Sequence, residues 1–160
     1  MKPRFNPYTV APDGLAALLG VETYLKSCGL EASLLHLVKT RVSQINGCAY
    51  CLHMHTREAR ADGEREARLY LLNAWRESAM FSARERAALG WAEALTTVAV
   101  LHADGDASYA AARAVFSEKE ISDLTIAIAM INGWNRMAIG SGVVHPGDRA
   151  AQEPGGEAKR

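Results

Sequence analysis

Apolar and polar residues follow one another along this chain with the spacing of helices. Pro12-Asp13-Gly14 predicts the opening of a first helix running to about Cys28, where Gly29 is a natural stop. Between Glu31 and Asn46, Leu34, Leu35, Val38, Val42 and Ile45 form the stripe of a second helix with a buried face. Asn46-Gly47 breaks it, and a third helix carries Cys48 to Ala61 and ends at Asp62-Gly63. A fourth, from Glu64 to about Ala79, is expected to bury Leu71, Leu72 and Trp75. Ser82-Ala83-Arg84-Glu85 has the pattern of a capping box, in which serine and glutamate side chains satisfy free N–H groups of the first turn. Ala88, Trp91, Ala92, Leu95 and Val98 line one face of the helix it starts. Ser117-Glu118-Lys119-Glu120 repeats the pattern before a long helix to about Ile139, apolar on most sides at Ile121, Leu124, Ile126, Ile128, Met130, Ile131, Trp134 and Met137. Such a helix belongs at the centre of a bundle or at a subunit interface. Arg136 stands inside it, where a charge needs a partner or an interface.

No segment alternates with period two, and no Asn-Gly or Asp-Gly joins two β-branched runs. The expected fold is an all-α bundle of about six to seven helices forming one domain over residues 1–144. Pro146-Gly147-Asp148 and Glu153-Pro154-Gly155-Gly156 give residues 145–160 the composition of a disordered tail.

Composition narrows the function classes. At 160 residues the chain is long enough for one real core. Lys+Arg and Asp+Glu number 18 each, so the formal net charge of zero gives no reason to expect nucleic acid or an anionic membrane as partner. It also offers little repulsion against self-association. The N-terminus has no apolar run resembling a signal peptide, and no apolar stretch reaches the length of a membrane span. Three cysteines, an odd number, argue against a secreted disulfide framework. The chain reads as cytoplasmic, where a CxxC pair is catalytic or metal-binding more often than structural.

That pair, Cys48 and Cys51, is followed by His53 and His55. On a helix turning roughly 100° per residue, His55 lies about 40° from Cys51, Cys48 about 60°, and His53 about 160°. Two thiols and one imidazole therefore share a face. Asn46-Gly47 places the thiols at a helix start, where free N–H groups and the dipole lower a thiol's pKa. A second thiol three residues away can resolve a sulfenic acid into a disulfide. Zinc is the strongest competing reading, since Cys48, Cys51, His53 and His55 are four suitable ligands within eight residues. Against it, His-x-His is short for a zinc site, and a continuous helix sends His53 away from the other three. Inert, buried cysteines are the remaining alternative. Cys28 reads as a lone buried thiol near a helix end, and His102 and His145 as surface residues.

The run Leu37-Val38-Lys39-Thr40-Arg41-Val42-Ser43-Gln44-Ile45-Asn46-Gly47-Cys48-Ala49-Tyr50-Cys51, with Met54-His55 after it, resembles the AhpD-like alkylhydroperoxidases of the carboxymuconolactone decarboxylase superfamily. Trp91-Ala92-Glu93-Ala94-Leu95-Thr96 and Ile131-Asn132-Gly133-Trp134-Asn135-Arg136 are similar to the same family's small single-domain members. The resemblance implies an all-α subunit in a homo-oligomer, trimer or hexamer. It implies reduction of alkyl hydroperoxides through the cysteine pair with no haem, flavin or metal, an external dithiol restoring the thiols. By the family's mechanism Cys51 is peroxidatic, Cys48 resolving and His55 a proton relay. Spacing agrees, because Cys51 stands one turn from His55. The earlier cysteine of a helix-initiating CxxC is, however, normally the more acidic. The family's relay glutamate, twelve residues before the first cysteine, is replaced here by His36, which titrates near neutral pH but supplies no fixed negative charge. Glu58, three residues after His55, is spaced to substitute. His53 is a second departure, since an acidic residue is common there. The alternative to a peroxidase is a non-catalytic or zinc-binding oligomer of the same fold.

Overall fold

A computed structural model describes residues 2–99, 105–145 and 147, and every regular element among them is helical. A single turn, α1 (Pro7–Val10), leads into α2 (Pro12–Leu25), α3 (Ala32–Asn46) and α4 (Ala49–Ala61). A short α5 (Glu66–Leu71) runs into a 3-10 turn at Leu72–Glu77, followed by α6 (Ala83–Thr96), α7 (Gly105–Arg113) and α8 (Glu118–Ser141). Among the described residues no helix is long and apolar enough to cross a membrane.

Helix α3 is the axis of the fold, packed against α4, α6 and α8 at once. Its Leu34, Leu35, Val38 and Val42 enter a large core with Leu124, Ile128 and Ile131 of α8 and with both site cysteines. Leu37, on another side, enters a second core of Ala59, Leu69, Leu72, Trp75, Phe81 and Leu89. Both expected capping boxes form. Ser82 and Glu85 start α6 and Ser117 and Glu120 start α8, each serine oxygen accepting the N–H of the glutamate three residues on.

The expected fourth helix, Glu64 to Ala79, does not form in one piece. Ala74 leaves the helical region at φ −113°, ψ 28°, and the chain tightens into the 3-10 turn. The cause lies in the next helix. Arg86 of α6 donates to the carbonyls of Trp75, Arg76 and Ser78, satisfying groups that a continuing helix would have used itself. Leu69 is buried in place of the expected Leu71, which is 41% exposed. The first helix stops at Leu25, short of Cys28, and a turn through Gly29 at φ 102° returns Leu30 to the core. Val98 lies past the end of α6 and is exposed, while the single turn α1 and the nine-residue α7 lie outside the helices that spacing predicts. Cys28 is half-buried. The segment at 100–104, with His102, and residues 148–160 of the expected tail lie outside the described residues.

Arg4 ties the two ends of the bundle together. Its guanidinium donates to the carbonyls of Ile139 and Gly140, and its N–H to that of Ser141, at the C-terminus of α8. Residues 3–8 are thereby held as a strap beside α2 and α8.

Glu93 of α6 accepts from Arg41 of α3 at 2.7 Å and from the Trp75 indole at 2.8 Å, and it pairs with Arg76. Burial alone would raise its carboxyl pKa, but the hydrogen bonds from Trp75, Arg76 and Arg41 outweigh that and hold it below the ordinary value of 4.5. A depressed carboxyl stabilises the fold above the unfolded-state pKa and loses that contribution as pH falls through the folded value. Glu93→Gln should therefore lower unfolding stability by about 2 kcal/mol at neutral pH and flatten the acid limb below the ordinary carboxyl value of 4.5, read by urea unfolding across pH.

Candidate active site

The site begins where α3 ends. Gly47 adopts φ 65°, a left-handed conformation that costs glycine nothing, and the Cys48 N–H returns to Ser43 O at 3.1 Å. Cys48 then leaves the helical region at φ −86°, ψ 95° and becomes the N-cap of α4. The CxxC is therefore not carried on one continuous helix. Its two cysteines meet because Cys48 Sγ accepts the Cys51 N–H at 3.4 Å, the capping contact a serine or aspartate would make.

Both cysteines are free thiols and only 2% exposed. Burial this deep would keep thiols protonated unless donors were supplied. For Cys48 they are. A hydrogen bond from the Cys51 thiol, then, against the cost of burial, the N–H of Cys51, the Asn135 amide and the N–H of Tyr50 bring its pKa from 9.0 to about 7. Cys51 moves the other way, raised because it donates to the Cys48 thiolate, because it is buried and because the neighbouring charge is like its own. The pair gives up its first proton near neutrality, and the charge settles on Cys48.

His55 follows Cys51 by one turn and is 5% exposed. Its Nδ1 lies 2.9 Å from Glu58 Oε2. Burial lowers its pKa, Glu58 pulls it upward, and Lys39 and His36 lower it further; the net direction is down. The imidazole is neutral at pH 7, with Nδ1–H donated to the carboxylate and Nε2 left with its lone pair. Glu58 thus occupies the supporting role that spacing proposed for it. His36 pairs elsewhere, with its Nε2 at 2.7 Å from Asp62 Oδ2. His53 sets its ring edge-on against His145, centroids 4.6 Å apart. Among the described residues no group of three or more His, Cys, Asp or Glu side chains is arranged to hold a metal ion.

A cavity of about 700 Å³ opens onto this constellation. Cys51, His55, Glu58, His36 and Asp62 lie in its wall; Cys48 does not. The rest is mainly apolar, with Phe5 and Tyr8 of the strap, Leu15 and Leu19 of α2, Met54 of α4 and Met137 of α8. Lys39 also lines it, bound at 2.7 Å to Glu22, whose other oxygen accepts the Trp134 indole N–H at 2.8 Å.

Sequence patterning missed one participant altogether. Asn135 of α8 is fully buried, accepting from Asn46 Nδ2 at 2.9 Å and donating to Ser43 Oγ at 3.0 Å, and its amide pulls the pKa of both thiols downward. Its neighbour Arg136, the charge expected to need a partner or an interface, is exposed and donates to the backbone and side-chain oxygens of Asn132 in its own helix. The available signal was two asparagines three residues apart in a helix apolar on most sides.

Comparison with known proteins agrees with this geometry. Residues 12–94 match the family model described as the carboxymuconolactone decarboxylase family. The uncharacterized protein YdfG of Bacillus subtilis is 39% identical over 142 residues, 89% of this chain and 96% of that protein. A crystal structure from Agrobacterium tumefaciens, of a protein of unknown function described as a candidate AhpD antioxidant defence protein, superposes with a TM-score of 0.86. It is 43% identical, with 91% of this chain and 99% of that one covered. An uncharacterized peroxidase-related protein from Ralstonia eutropha, described as an alkylhydroperoxidase AhpD core, shares the fold at a TM-score of 0.76 and 23% identity, covering 91% of this chain and 78% of its own. Family model, full-length relatives and the helical frame that seats the CxxC agree: this chain belongs to the carboxymuconolactone decarboxylase family, among neighbours of AhpD type.

Proposed function

We propose that the chain is a thiol-dependent peroxidase acting on alkyl hydroperoxides, with Cys51 peroxidatic, Cys48 resolving, and His55 and His36 moving protons. One observation carries the reading: Cys51 is the cavity-facing member of a buried dithiol whose other sulfur ionises near neutrality, and it lies one turn from a neutral histidine. Acidity alone would favour Cys48 as nucleophile. Access decides against it, because Cys48 is buried behind the cavity wall and Cys51 forms part of that wall.

The Cys51 proton passes to the Cys48 thiolate with which it is already hydrogen-bonded, and the Cys51 sulfur attacks the terminal peroxide oxygen. The O–O bond breaks, Cys51 becomes a sulfenic acid, and the proton that Cys48 took from Cys51 passes through the free Nε2 of His55 to the alkoxide, which leaves as alcohol. Cys48, again a thiolate, attacks the sulfenic sulfur, forms the disulfide and expels hydroxide, which takes a proton from solvent. An external dithiol then reduces the disulfide and is itself oxidised. Glu58 holds the imidazole in its working tautomer. His36, coupled to Asp62 on the same wall, carries protons onward from the site. A reducing cytoplasm is the compartment in which such a cycle turns over.

The same reading takes the subunit to be one of a homo-oligomer, trimer or hexamer. Exposed Tyr8, Val10, Leu19 and Tyr24 on α1 and α2, with Ile139 on α8, offer apolar surface for neighbours. Light scattering should return a multiple of the 17.3 kDa chain mass, and a monomer at micromolar concentration would refute the assembly.

Cys48→Ser should leave a sulfenic acid on Cys51 that a dimedone-type probe captures, whereas Cys51→Ser should yield no adduct after peroxide. Capture on Cys48 alone would reverse the roles.

Peroxide consumption with a dithiol donor should rise with pH through about 7, as the pair loses its first proton, and then level off. Because burial lowers the His55 pKa, no second limb is expected between pH 6.5 and neutrality. His55→Ala should cost about 10²-fold in kcat/KM, and Glu58→Ala or His36→Leu less. Equal rates for the wild type and the His36→Leu variant would remove His36 from the relay.

A further inference from the structure

Cys51, His55, Glu58 and Asp62 recur on α4 at steps of four, three and four residues, so one stripe of that helix brings four ionisable groups to the cavity wall. His36 of α3 joins the end of the stripe, 2.7 Å from Asp62. The lining supplied by the strap, α2 and α8 is of another kind. Phe5, Leu15, Leu19, Met137 and Ala138 bring only hydrocarbon, aromatic and thioether surface. Glu22, the acid on that part of the wall, is engaged by Lys39 at 2.7 Å and by the Trp134 indole at 2.8 Å. Of the charged wall residues only Lys26, which is exposed, has no partner among the described residues. An anion would be opposed by the Glu58 and Asp62 carboxylates, since the neutral His55 does not cancel the charge of Glu58. A charge of either sign would also lose its water against the apolar lining.

Size points the same way. At the roughly 30 Å³ that one water takes in the liquid, a cavity of about 700 Å³ has room for on the order of twenty non-hydrogen atoms. Hydrogen peroxide or a short-chain hydroperoxide would leave most of it to water, which finds few partners along the apolar part of the wall. A hydrocarbon tail that displaces this water gains affinity with each methylene buried. Met54 and Met137, unbranched and polarisable, can fit their surface to tails of different shape. Resting on the thiol chemistry proposed above, we propose that the substrate is an uncharged organic hydroperoxide with an apolar tail of about eight carbons or more. Its O–O group meets Cys51 and His55, and its tail lies along the strap, α2 and α8. Every substrate offers the thiols the same O–O group, so tail length acts on KM more than on kcat.

Alcohols, which thiols do not reduce, test the cavity apart from the reaction. 1-Hexanol, 1-octanol, octanoate and octylammonium are titrated into the reduced protein while the methyl NMR signals of Met54 and Met137 are followed. Both signals should move, and 1-octanol should bind about tenfold more tightly than 1-hexanol, in line with about twofold to fourfold for each methylene. Octanoate and octylammonium should bind at least about tenfold more weakly than 1-octanol. In turnover with a dithiol donor, kcat/KM for octyl hydroperoxide should exceed that for butyl hydroperoxide by about 10²-fold, mostly through KM. Met137→Trp, which fills part of the cavity, should cut that ratio about tenfold. Should this variant not fold, the wild-type series still decides. Silent methionine signals, equal affinity for the two alcohols, a charged analogue bound as tightly as 1-octanol, or an unchanged ratio in Met137→Trp would overturn the proposal. So would equal turnover of the two hydroperoxides, which would leave the peroxidase reading standing. Alcohols bound in the expected order by a protein that turns over no hydroperoxide would keep this ligand class for the cavity and discard the peroxidase reading.

Discussion

Cys48 stands where a helix usually carries serine, threonine or aspartate, and its sulfur takes a free N–H of α4 at 3.4 Å. Everything local to the site depends on that contact. It requires Cys48 to leave the helical region, which in turn requires the left-handed turn at Gly47 that ends α3. Once the cap forms, Cys51 falls in the first turn of α4 and His55 one turn beyond, with no further adjustment. The same contact helps a thiol buried in an apolar core to ionise near neutrality. Helix initiation and thiol activation share one interaction.

Depth and access pull in opposite directions in such a pair. The sulfur best supplied with donors is the one withdrawn from the cavity, and the sulfur facing the cavity keeps its proton at rest. A shared proton reconciles the two demands, since moving it a short way exchanges which sulfur is nucleophilic. His55 complements this arrangement. Burial keeps it uncharged, Glu58 keeps it oriented, and it can take up or release a proton without first shedding one to solvent.

What could be read from residues alone was whatever is local. The stripe of α3, the glycine stop at Gly47 and the capping boxes at Ser82 and Ser117 lie within a few positions of their partners, and the structure places them where spacing puts them. The break at Ala74 was invisible because Arg86, which rewards it, belongs to another helix. Spacing identified Glu58 as a partner for His55, but could not see that His36 would find Asp62, 26 residues away. Asn135 escaped for a related reason. An asparagine in an apolar helix reads as a blemish until the end of α3 is packed against it.

The strap has a consequence for how such a site can diverge. Phe5 and Tyr8 furnish part of the cavity wall, while the reacting groups sit on α4 and their support comes from α3 and α8. The strap is fastened to the rest through Arg4 and the carbonyls ending α8, main-chain groups that accept equally well whatever side chains surround them. Substitutions in residues 5–8 can therefore widen or narrow what the cavity admits without disturbing the thiols. Selectivity and reactivity are carried by separate pieces of chain, and mutation can tune one while selection holds the other still.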